Sequence, residues 1–272
     1  MAGIIYPRDW REILALKSVF ADPPRPMNTA DLDSLITVKI QEMARLFEEK
    51  FFDQEKYALA LSGGLDSSIL AILLSRQNVN FTAFTIGAGK RHPDIVFANM
   101  IARKLRIETV VCVLDDSYKR ADNYETLFEL VKANGFSHVI NGDAIDEIMG
   151  GYWAHVSPTS TKKVTADASL TIENQRRQIF DGFWQRLYAD HIEPLDRFAA
   201  KYGISVALPY LAAAPELMHL PLGQRAADKR RKILMRQLGE TLDLPKELLQ
   251  RPKLGLCNLF SRGNEINRKK TF

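Results

Sequence analysis

The sequence is poor in cysteine and has no long apolar run, and both absences limit what the protein can be. Only Cys112 and Cys257 occur among its 272 residues, and they form no C-x-x-C or zinc-binding spacing. Such usage is typical of a reducing, cytoplasmic setting. No apolar stretch approaches the about 20 residues that cross a bilayer, so we expect no membrane partner.

Two common nucleotide-binding signatures are also absent. No G-K-S or G-K-T occurs, which excludes a Walker A loop. The nearest approach to the G-x-G-x-x-G fingerprint is Gly87-Ala88-Gly89, and His92 stands where the third glycine belongs. The net charge of +4 is mild. An anionic nucleotide substrate accounts for it as well as a nucleic-acid partner does.

One stretch nevertheless has the form of a phosphate cradle. Residues 57–61 predict a buried strand and residues 69–74 a buried helix. The turn between them combines glycines, hydroxyls and a helix start, which favours a bound anion, although a tight turn without a ligand is the alternative. Asp66 could hold Mg²⁺ there. The predicted ATP-binding residues of this turn are Leu61, Ser62, Gly63, Gly64, Leu65, Asp66, Ser67 and Ser68.

The first half of the chain alternates strands with helices. Further strands are predicted at residues 80–86, 108–114 and 138–140, and helices at 32–51, 94–105 and 123–134, the first of them capped by Thr29 or Asp31. This alternation indicates an α/β fold with a parallel, doubly wound sheet. Ligands of such sheets lie at the carboxyl ends of the strands.

The flanking regions differ from this core. Residues 1–28 contain four prolines and predict an irregular lead-in. Residues 168–201 predict helix, interrupted at Gly182 and Pro194, and no strand is predicted after Trp153. We therefore expect a lead-in with one helix at 1–55, a nucleotide-binding core at 56–155 and a mostly helical part at 156–272.

A second polar motif, residues 141–152, follows the strand at 138–140. If it is helical, Asp143, Asp146 and Glu147 share one face, because they are spaced at i, i+3 and i+4. Three carboxylates on one face repel each other unless a cation such as Mg²⁺ is present. A solvated acidic helix start is the alternative.

These motifs resemble known ones. S-G-G-L-D-S-S is similar to the pyrophosphate-binding loop of the ATP pyrophosphatases, and N-G-D-A-I-D-E-I-M-G-G-Y to the G-[ED]-G-x-D-E-x-x-G-G-Y signature of the asparagine synthetase family. Residues 84–87, 206–211, 232–236 and 251–255 resemble further segments of that family, in the same order. Three positions depart from it, with Ala144 for a usual Gly, Ala212 for Asp and Gln237 for Glu.

The resemblance implies an adenine nucleotide alpha hydrolase-like sheet and an ATP-dependent, amide-forming ligase. In that family a carboxylate attacks ATP, giving an acyl-adenylate and pyrophosphate, and ammonia or an amine then displaces AMP. ATP is thus the expected substrate and Mg²⁺ the expected cofactor. The resemblance assigns Mg²⁺ binding to Asp66 and Asp146, and adds Ile86, Gly142 and Lys232 to the ATP-binding residues.

Two residues receive catalytic roles from the resemblance. Lys253 corresponds to the family lysine that stabilises developing charge, although it could be an ordinary surface lysine. Asp143 is the candidate for orienting or deprotonating the amine. In the basic run 229–232 we favour phosphate contact for Lys232 and solvent for Arg230 and Arg231, with an RNA patch as the alternative.

Other functions remain open on the sequence. Some proteins with such loops adenylate a tRNA base for thiolation or amination, but sulfur chemistry usually uses cysteine pairs, so we do not expect a nucleic-acid partner. An inactive regulatory nucleotide-binding protein is a third class. The expected partners are a small-molecule carboxylate and ammonia or an amine, with ammonia supplied in one version by a separate glutaminase.

Overall fold

The computed structural model describes residues 2–51, 56–114, 123–157, 167 and 169–251. Lys253 and Cys257 lie outside the described residues. A six-stranded parallel sheet organises the chain, in the order β1-β6-β5-β2-β3-β4. Its strands are β1 Gly3–Tyr6, β2 Tyr57–Ala60, β3 Phe81–Ala88, β4 Thr109–Leu114, β5 His138–Ile140 and β6 Ser205–Ala207.

Helices cover the sheet in two layers. Helix Leu65–Arg76 packs against helices Thr29–Phe51 and Pro93–Leu105, whereas Asn123–Ala133 packs against Glu193–Tyr202. The predicted α/β class with a parallel, doubly wound sheet is confirmed. The first eight helices are α1 Trp10–Leu14, α2 Thr29–Phe51, α3 Leu65–Arg76, α4 Pro93–Leu105, α5 Asn123–Ala133, α6 Ile145–Met149, α7 Ile172–Leu187 and α8 Glu193–Tyr202.

The remaining elements are short and follow β6. A small antiparallel pair, β7 Ala226–Ala227 and β8 Arg230–Arg231, precedes helix α12. The predicted helical character of the second half is thus confirmed, apart from β6 and this pair. The helices after β6 are α9 Pro209–Ala212, α10 Ala214–Leu217, α11 Leu222–Arg225, α12 Ile233–Thr241 and α13 Lys246–Gln250.

The strand order places a topological switch point between β2 and β5. From β2 the chain proceeds outward through β3 to β4, then returns to the other side of β2 to form β5 and β6. At such a point the connections on neighbouring strands leave in opposite directions and open a crevice for ligands. Both polar motifs follow the two strands that flank this crevice.

The amino-terminal lead-in is more regular than the sequence indicated. Residues 3–6 form edge strand β1, which pairs in parallel with β6, so that Ile4 lies opposite Val206. Expecting no strand after Trp153 was therefore also wrong. Strand β1 has four residues and β6 has three, and the two paired strands are about two hundred residues apart in the sequence. Local periodicity does not detect such short, distant partners.

Helix boundaries follow capping chemistry rather than periodicity alone. Helix α2 begins at Thr29, and Asn28 caps it by accepting from the N–H groups of Ala30 and Asp31 at 2.8 and 2.9 Å. The predicted caps, Thr29 and Asp31, were therefore one and three residues late. Gly182 does not interrupt α7, which runs through it to a π-helical turn at Tyr188–Ile192.

No helix among the described residues is both long and apolar enough to cross a membrane.

A buried arginine joins the second polar motif to the helical part. The guanidinium of Arg225 is fully buried, and burial lowers its pKa to about 9. Its fork donates to backbone carbonyls at 2.6 to 3.4 Å, including one from α6, and it lies 4.4 Å from the Phe20 ring centroid. The five acceptors are the carbonyl oxygens of Val19, Ile148, Leu217, Met218 and Leu220.

We predict that Arg225→Lys destabilises the fold by about 3 kcal/mol, because a lysine cannot reach several of these buried carbonyls at once. Urea unfolding followed by tryptophan fluorescence measures the change. Arg230→Lys is the matched control, since Arg230 is exposed and should stay within about 0.5 kcal/mol of wild type. Equal stability of the two variants would show that the buried arginine contacts do not hold the fold.

Candidate nucleotide-binding site

The predicted phosphate loop connects β2 to α3 at the switch point. Gly63 has φ +62, and a Cβ there would lie 2.4 Å from the amide nitrogen of Ala98 on α4. Only glycine therefore fits the loop against α4. Gly64 precedes the first turn of α3 in an extended conformation. The N–H groups of a first helical turn lack intrahelical acceptors, so this end of α3 favours an anion.

Side chains of the loop leave polar atoms ready for a ligand. The hydroxyl oxygens of Ser62 and Ser67 lie 3.1 Å apart, and the N–H of Gly64 donates to Ser62 Oγ at 3.3 Å. By contrast, Ser68 Oγ and Asp66 Oδ1 are buried and have no hydrogen-bond partner among the described residues. Buried polar atoms are costly without partners, so two of them in one loop fit a site for polyphosphate and its cation.

The other predicted ATP-binding residues lie around the same strand ends. Ala60 is level with Phe84 and Leu59 with Ile140, so Ile86 and Gly142 each lie two residues further along the neighbouring strands. Ile86 is buried. Leu61 is buried and donates its N–H to the carbonyl of Phe84 at 2.9 Å. Leu65, at the start of α3, is partly buried against the core.

Arg251 holds the loop from outside. Its Nη1 donates to the carbonyl of Gly63 at 2.7 Å, and its Nη2 forms an ion pair with buried Asp94. The guanidinium also lies 5.1 Å from the Phe97 ring centroid. Burial raises the pKa of Asp94, and Arg251 opposes this increase. The sequence indicated Arg251 only as part of a motif, and its contact with the loop was not predicted.

The two predicted metal ligands come together around one ammonium group. Lys232 Nζ lies 2.5 Å from Asp66 Oδ2 and 2.6 Å from Asp146 Oδ1. Lys232 is only 5% exposed. Burial lowers the pKa of Lys232, and the neighbouring carboxylate of Asp66 opposes this decrease. Asp66 and Asp146 thus share a cation position beside the phosphate loop.

This arrangement suits a Mg²⁺ ion that is bound jointly by the two carboxylates and by nucleotide phosphates better than it suits a metal ion bound only by protein side chains. Among the described residues, no group of three or more His, Cys, Asp or Glu side chains could hold a metal ion. Mg²⁺ commonly binds one or two carboxylates together with substrate phosphates. Asp66 and Asp146 supply two carboxylates, and Asp66 Oδ1 is unpartnered. The residues present therefore fit a magnesium–nucleotide complex.

The second motif does not form the shared acidic face that its spacing predicted. Ala144 has φ +79, and α6 begins only at Ile145, so Asp143 precedes the helix. The three carboxylates therefore have different partners. Asp146 binds Lys232, Asp143 accepts from the Tyr124 hydroxyl at 2.7 Å, and Glu147 accepts from the Tyr152 hydroxyl at 2.5 Å.

His191 connects these last two pairs. Its Nδ1 lies 3.5 Å from Tyr124 Oη, and its Nε2 lies 3.4 Å from Tyr152 Oη. Burial raises the pKa of Glu147, whose Oε1 is 3.8 Å from His191 Nε2. His191 lies in the π-helical turn, about forty residues after the second motif. No local pattern in the sequence indicated that it would reach Asp143.

The basic run contributes to the site unevenly. Arg230 is exposed, as predicted. The expectation of a solvent position for Arg231 was wrong, because its Nη1 donates to the carbonyl of Gly151 at 3.0 Å and its guanidinium lies 5.8 Å from the Trp153 ring centroid. The backbone of the second motif is therefore held by the residue next to Lys232.

Comparisons with known proteins found similarity to the asparagine synthetase family. The family model for asparagine synthase matches residues 44–120. Asparagine synthetase [glutamine-hydrolyzing] of Bos taurus is 24% identical over 237 residues, 76% of this chain and 40% of that protein. The resemblance to the asparagine synthetase family is confirmed. The chain thus spans about 40% of the length of this relative.

Other relatives extend this picture. The tRNA(Ile)-lysidine synthase of Chlamydia trachomatis serovar A is 24% identical over 284 residues, 85% of this chain and 88% of that protein. Among solved structures, the NMN synthetase of Francisella tularensis has a TM-score of 0.41 at 16% identity, covering 82% of this chain and 76% of that one.

We predict that Gly151→Ala disrupts the shared cation position. A Cβ there would lie 1.6 Å from Asp146 Oδ1 and 2.7 Å from Lys232 Cε, so the carboxylate or the ammonium must move. Calorimetric titration with ATP and Mg²⁺ should show affinity at least tenfold weaker, a loss of about 1.4 kcal/mol. Gly223→Ala is the control, because a Cβ there meets nothing within 4 Å. If Gly151→Ala binds ATP with wild-type affinity, nucleotide binding does not depend on the arrangement of Asp146 and Lys232.

Proposed function

We propose that the protein activates a carboxylate with ATP and transfers the acyl group to ammonia or an amine. The observation that carries this proposal is the convergence of Asp66 and Asp146 on one cation position beside the phosphate loop. A site that binds a triphosphate and its cation at a switch point suits nucleotidyl transfer. The absence of a Walker lysine favours release of pyrophosphate over transfer of a single phosphate.

In the first step the loop holds the β- and γ-phosphates. The N–H groups at the start of α3 and the hydroxyls of Ser62, Ser67 and Ser68 donate to phosphate oxygens. Mg²⁺ bound by Asp66 and Asp146 would neutralise charge on the pyrophosphate. A carboxylate oxygen of the substrate attacks the α-phosphorus, and the bond to the bridging oxygen of pyrophosphate breaks. Lys232 offsets the negative charge that the leaving group carries.

In the second step an amine attacks the activated carbonyl. The nitrogen lone pair forms the new C–N bond, the C–O bond to AMP breaks, and the nitrogen gives up a proton. Asp143 is the proposed acceptor of that proton, because its carboxylate follows β5 at the crevice. Lys253 stays the sequence-based candidate for stabilising charge on the acyl group. The amine source is ammonia, an amine, or ammonia from a separate glutaminase.

A second candidate is amination of a nucleic-acid base activated by the same site. The match to a tRNA(Ile)-lysidine synthase covers 88% of that protein, a larger share than the match to asparagine synthetases. Trp153 is 52% exposed and lies next to the Arg231 guanidinium. An exposed aromatic ring beside an arginine suits stacking of an unpaired base. In this version the adenylated group is a base carbonyl rather than a carboxylate.

We predict that turnover gives AMP and pyrophosphate. Purified protein with ATP and Mg²⁺ is supplied either with carboxylic acids and ammonium chloride or primary amines, or with tRNA and the same amines, and phosphorus NMR identifies the products. ADP and inorganic phosphate would contradict the proposal. Product formation only with tRNA would establish the second candidate instead.

Asp66→Asn should lower this turnover on the order of a hundredfold, because it removes a charge at the cation position. Asp243→Asn is the matched control, since Asp243 has a side chain 96% exposed and pairs only with Lys104 among the described residues. Its turnover should equal that of wild type. Normal turnover in Asp66→Asn would show that the cation position has no part in the reaction.

A further inference from the structure

Five side chains from separate parts of the chain form one polar cluster, which we call the proton cluster. It consists of two carboxylates, two tyrosines and one histidine that connects them. Tyr124 comes from α5, Glu147 from α6 and His191 from the π-helical turn. The members are Tyr124, Asp143, Glu147, Tyr152 and His191. Only Asp143 has a proposed role in the reaction so far.

The contacts of the proton cluster favour one tautomer of His191. Tyr152 donates its one hydroxyl proton to Glu147 at 2.5 Å, so its oxygen faces His191 Nε2 as an acceptor. Glu147 Oε1, 3.8 Å from Nε2, is also an acceptor. Tyr124 likewise donates its proton to Asp143, so each ring nitrogen faces a tyrosine oxygen, and the carboxylate of Glu147 favours the proton on Nε2 of the neutral ring. Nδ1 is then left with a lone pair that faces Tyr124 Oη at 3.5 Å.

Tyr124 occupies the position between Asp143 and this lone pair. Its hydroxyl lies 2.7 Å from Asp143 Oδ2 and 3.5 Å from His191 Nδ1, and Tyr124 is 8% exposed. The side chain of His191 is 33% exposed. A path of three side chains thus leads from Asp143 to solvent. The longer distance is at the limit of a hydrogen bond, and such contacts commonly shorten in the complex with substrate.

We propose that His191 carries away the proton that Asp143 receives from the amine. This inference rests on the proposed function and deepens it. Protonated Asp143 gives its proton to Tyr124 Oη, while the Tyr124 hydroxyl gives its own proton to His191 Nδ1. One O–H bond breaks and one forms on Tyr124, Asp143 returns to its anion, and His191 becomes a cation. Water then takes the proton from the exposed ring.

The charges around His191 suit the temporary cation. Both ring N–H groups of the cation face tyrosine oxygens, and the carboxylates of Asp143 and Glu147 lie behind those tyrosines. Among the charged side chains near His191 in the sequence, Asp190 pairs with Arg186 at 3.0 Å and Glu193 with Arg197 at 3.2 Å. His191 acts through Tyr124 and does not touch the reacting atoms. It is therefore a positioning residue that resets Asp143 between turnovers.

The test separates the two halves of the reaction. Activation of the carboxylic acid is measured by isotope exchange between pyrophosphate and ATP in the presence of that acid. This step needs no amine. Amide formation with ammonium chloride at pH 7 reports the second half. His191→Gln keeps a polar side chain that does not titrate, and Tyr124→Phe removes the connecting hydroxyl. His219→Gln is the control, because His219 contacts the carbonyl of Pro23, outside the proton cluster.

Both variants should keep exchange within about twofold of wild type and form amide roughly tenfold to a hundredfold more slowly at pH 7. Added imidazole should restore much of the lost rate in that variant. His219→Gln should match wild type in both assays.

Two results would overturn the inference. One is amide formation by His191→Gln at the rate of wild type, without any gain from added imidazole. The other is an equal loss of exchange and amide formation, which indicates a structural role for His191. Absence of acid-dependent exchange in the wild-type protein would instead refute the proposed function, and this inference with it.

Discussion

The buried ammonium of Lys232 between Asp66 and Asp146 is the interaction on which the rest of the site depends. Two carboxylates this close to one point repel each other in a medium of low dielectric constant, and one buried cation offsets that repulsion. The same contact joins three elements, since Asp66 lies in α3, Asp146 in α6 and Lys232 immediately before α12. The C-terminal helical part is thereby attached to the phosphate loop.

Backbone constraints make this contact possible. Lys232 has φ +51, a conformation that costs a residue with a side chain about 1 kcal/mol or more. Gly151 has no side chain and so leaves room for the carboxylate of Asp146. Arg231 donates a hydrogen bond to the backbone carbonyl of Gly151 and fixes its position. Strain at Lys232 persists because the two carboxylates and the neighbouring hydrogen bonds hold it. The strained residue thus lies at the position that the proposed chemistry needs.

The sheet explains why the two polar motifs meet. Each follows a strand beside the switch point, and parallel strands place their carboxyl ends at one edge. Fold class and phosphate loop could therefore be predicted from local patterns, namely the alternation of strands with helices and the glycines of residues 61–68. The pairing of Asp66 with Asp146 came from the resemblance to the asparagine synthetase family. Their shared contact with Lys232 could not be predicted, because it depends on a turn far along the chain.

The features that the sequence did not reveal are all long-range or conformational. Strand β1 is stabilised by pairing with β6, which no short window contains. Arg251 reaches the loop and Asp94 from over 150 residues away. His191 reaches the proton cluster through a π-helical turn, and Ala144 delays the start of α6 by its left-handed conformation. Helical spacing alone placed Asp143, Asp146 and Glu147 on one face, whereas that delay gives each a different partner.

The central claim is that the loop after β2 binds the triphosphate and that Asp66 and Asp146 bind its cation. A crystal structure with Mg²⁺ and an ATP analogue containing a methylene group between the α- and β-phosphates tests it most directly. The account predicts β- and γ-phosphate density at the start of α3, within hydrogen-bond distance of Ser62, Ser67 and Ser68, and a metal ion bound by both carboxylates. Triphosphate density elsewhere, with Lys232 still bridging two carboxylates that bind no metal, would contradict it.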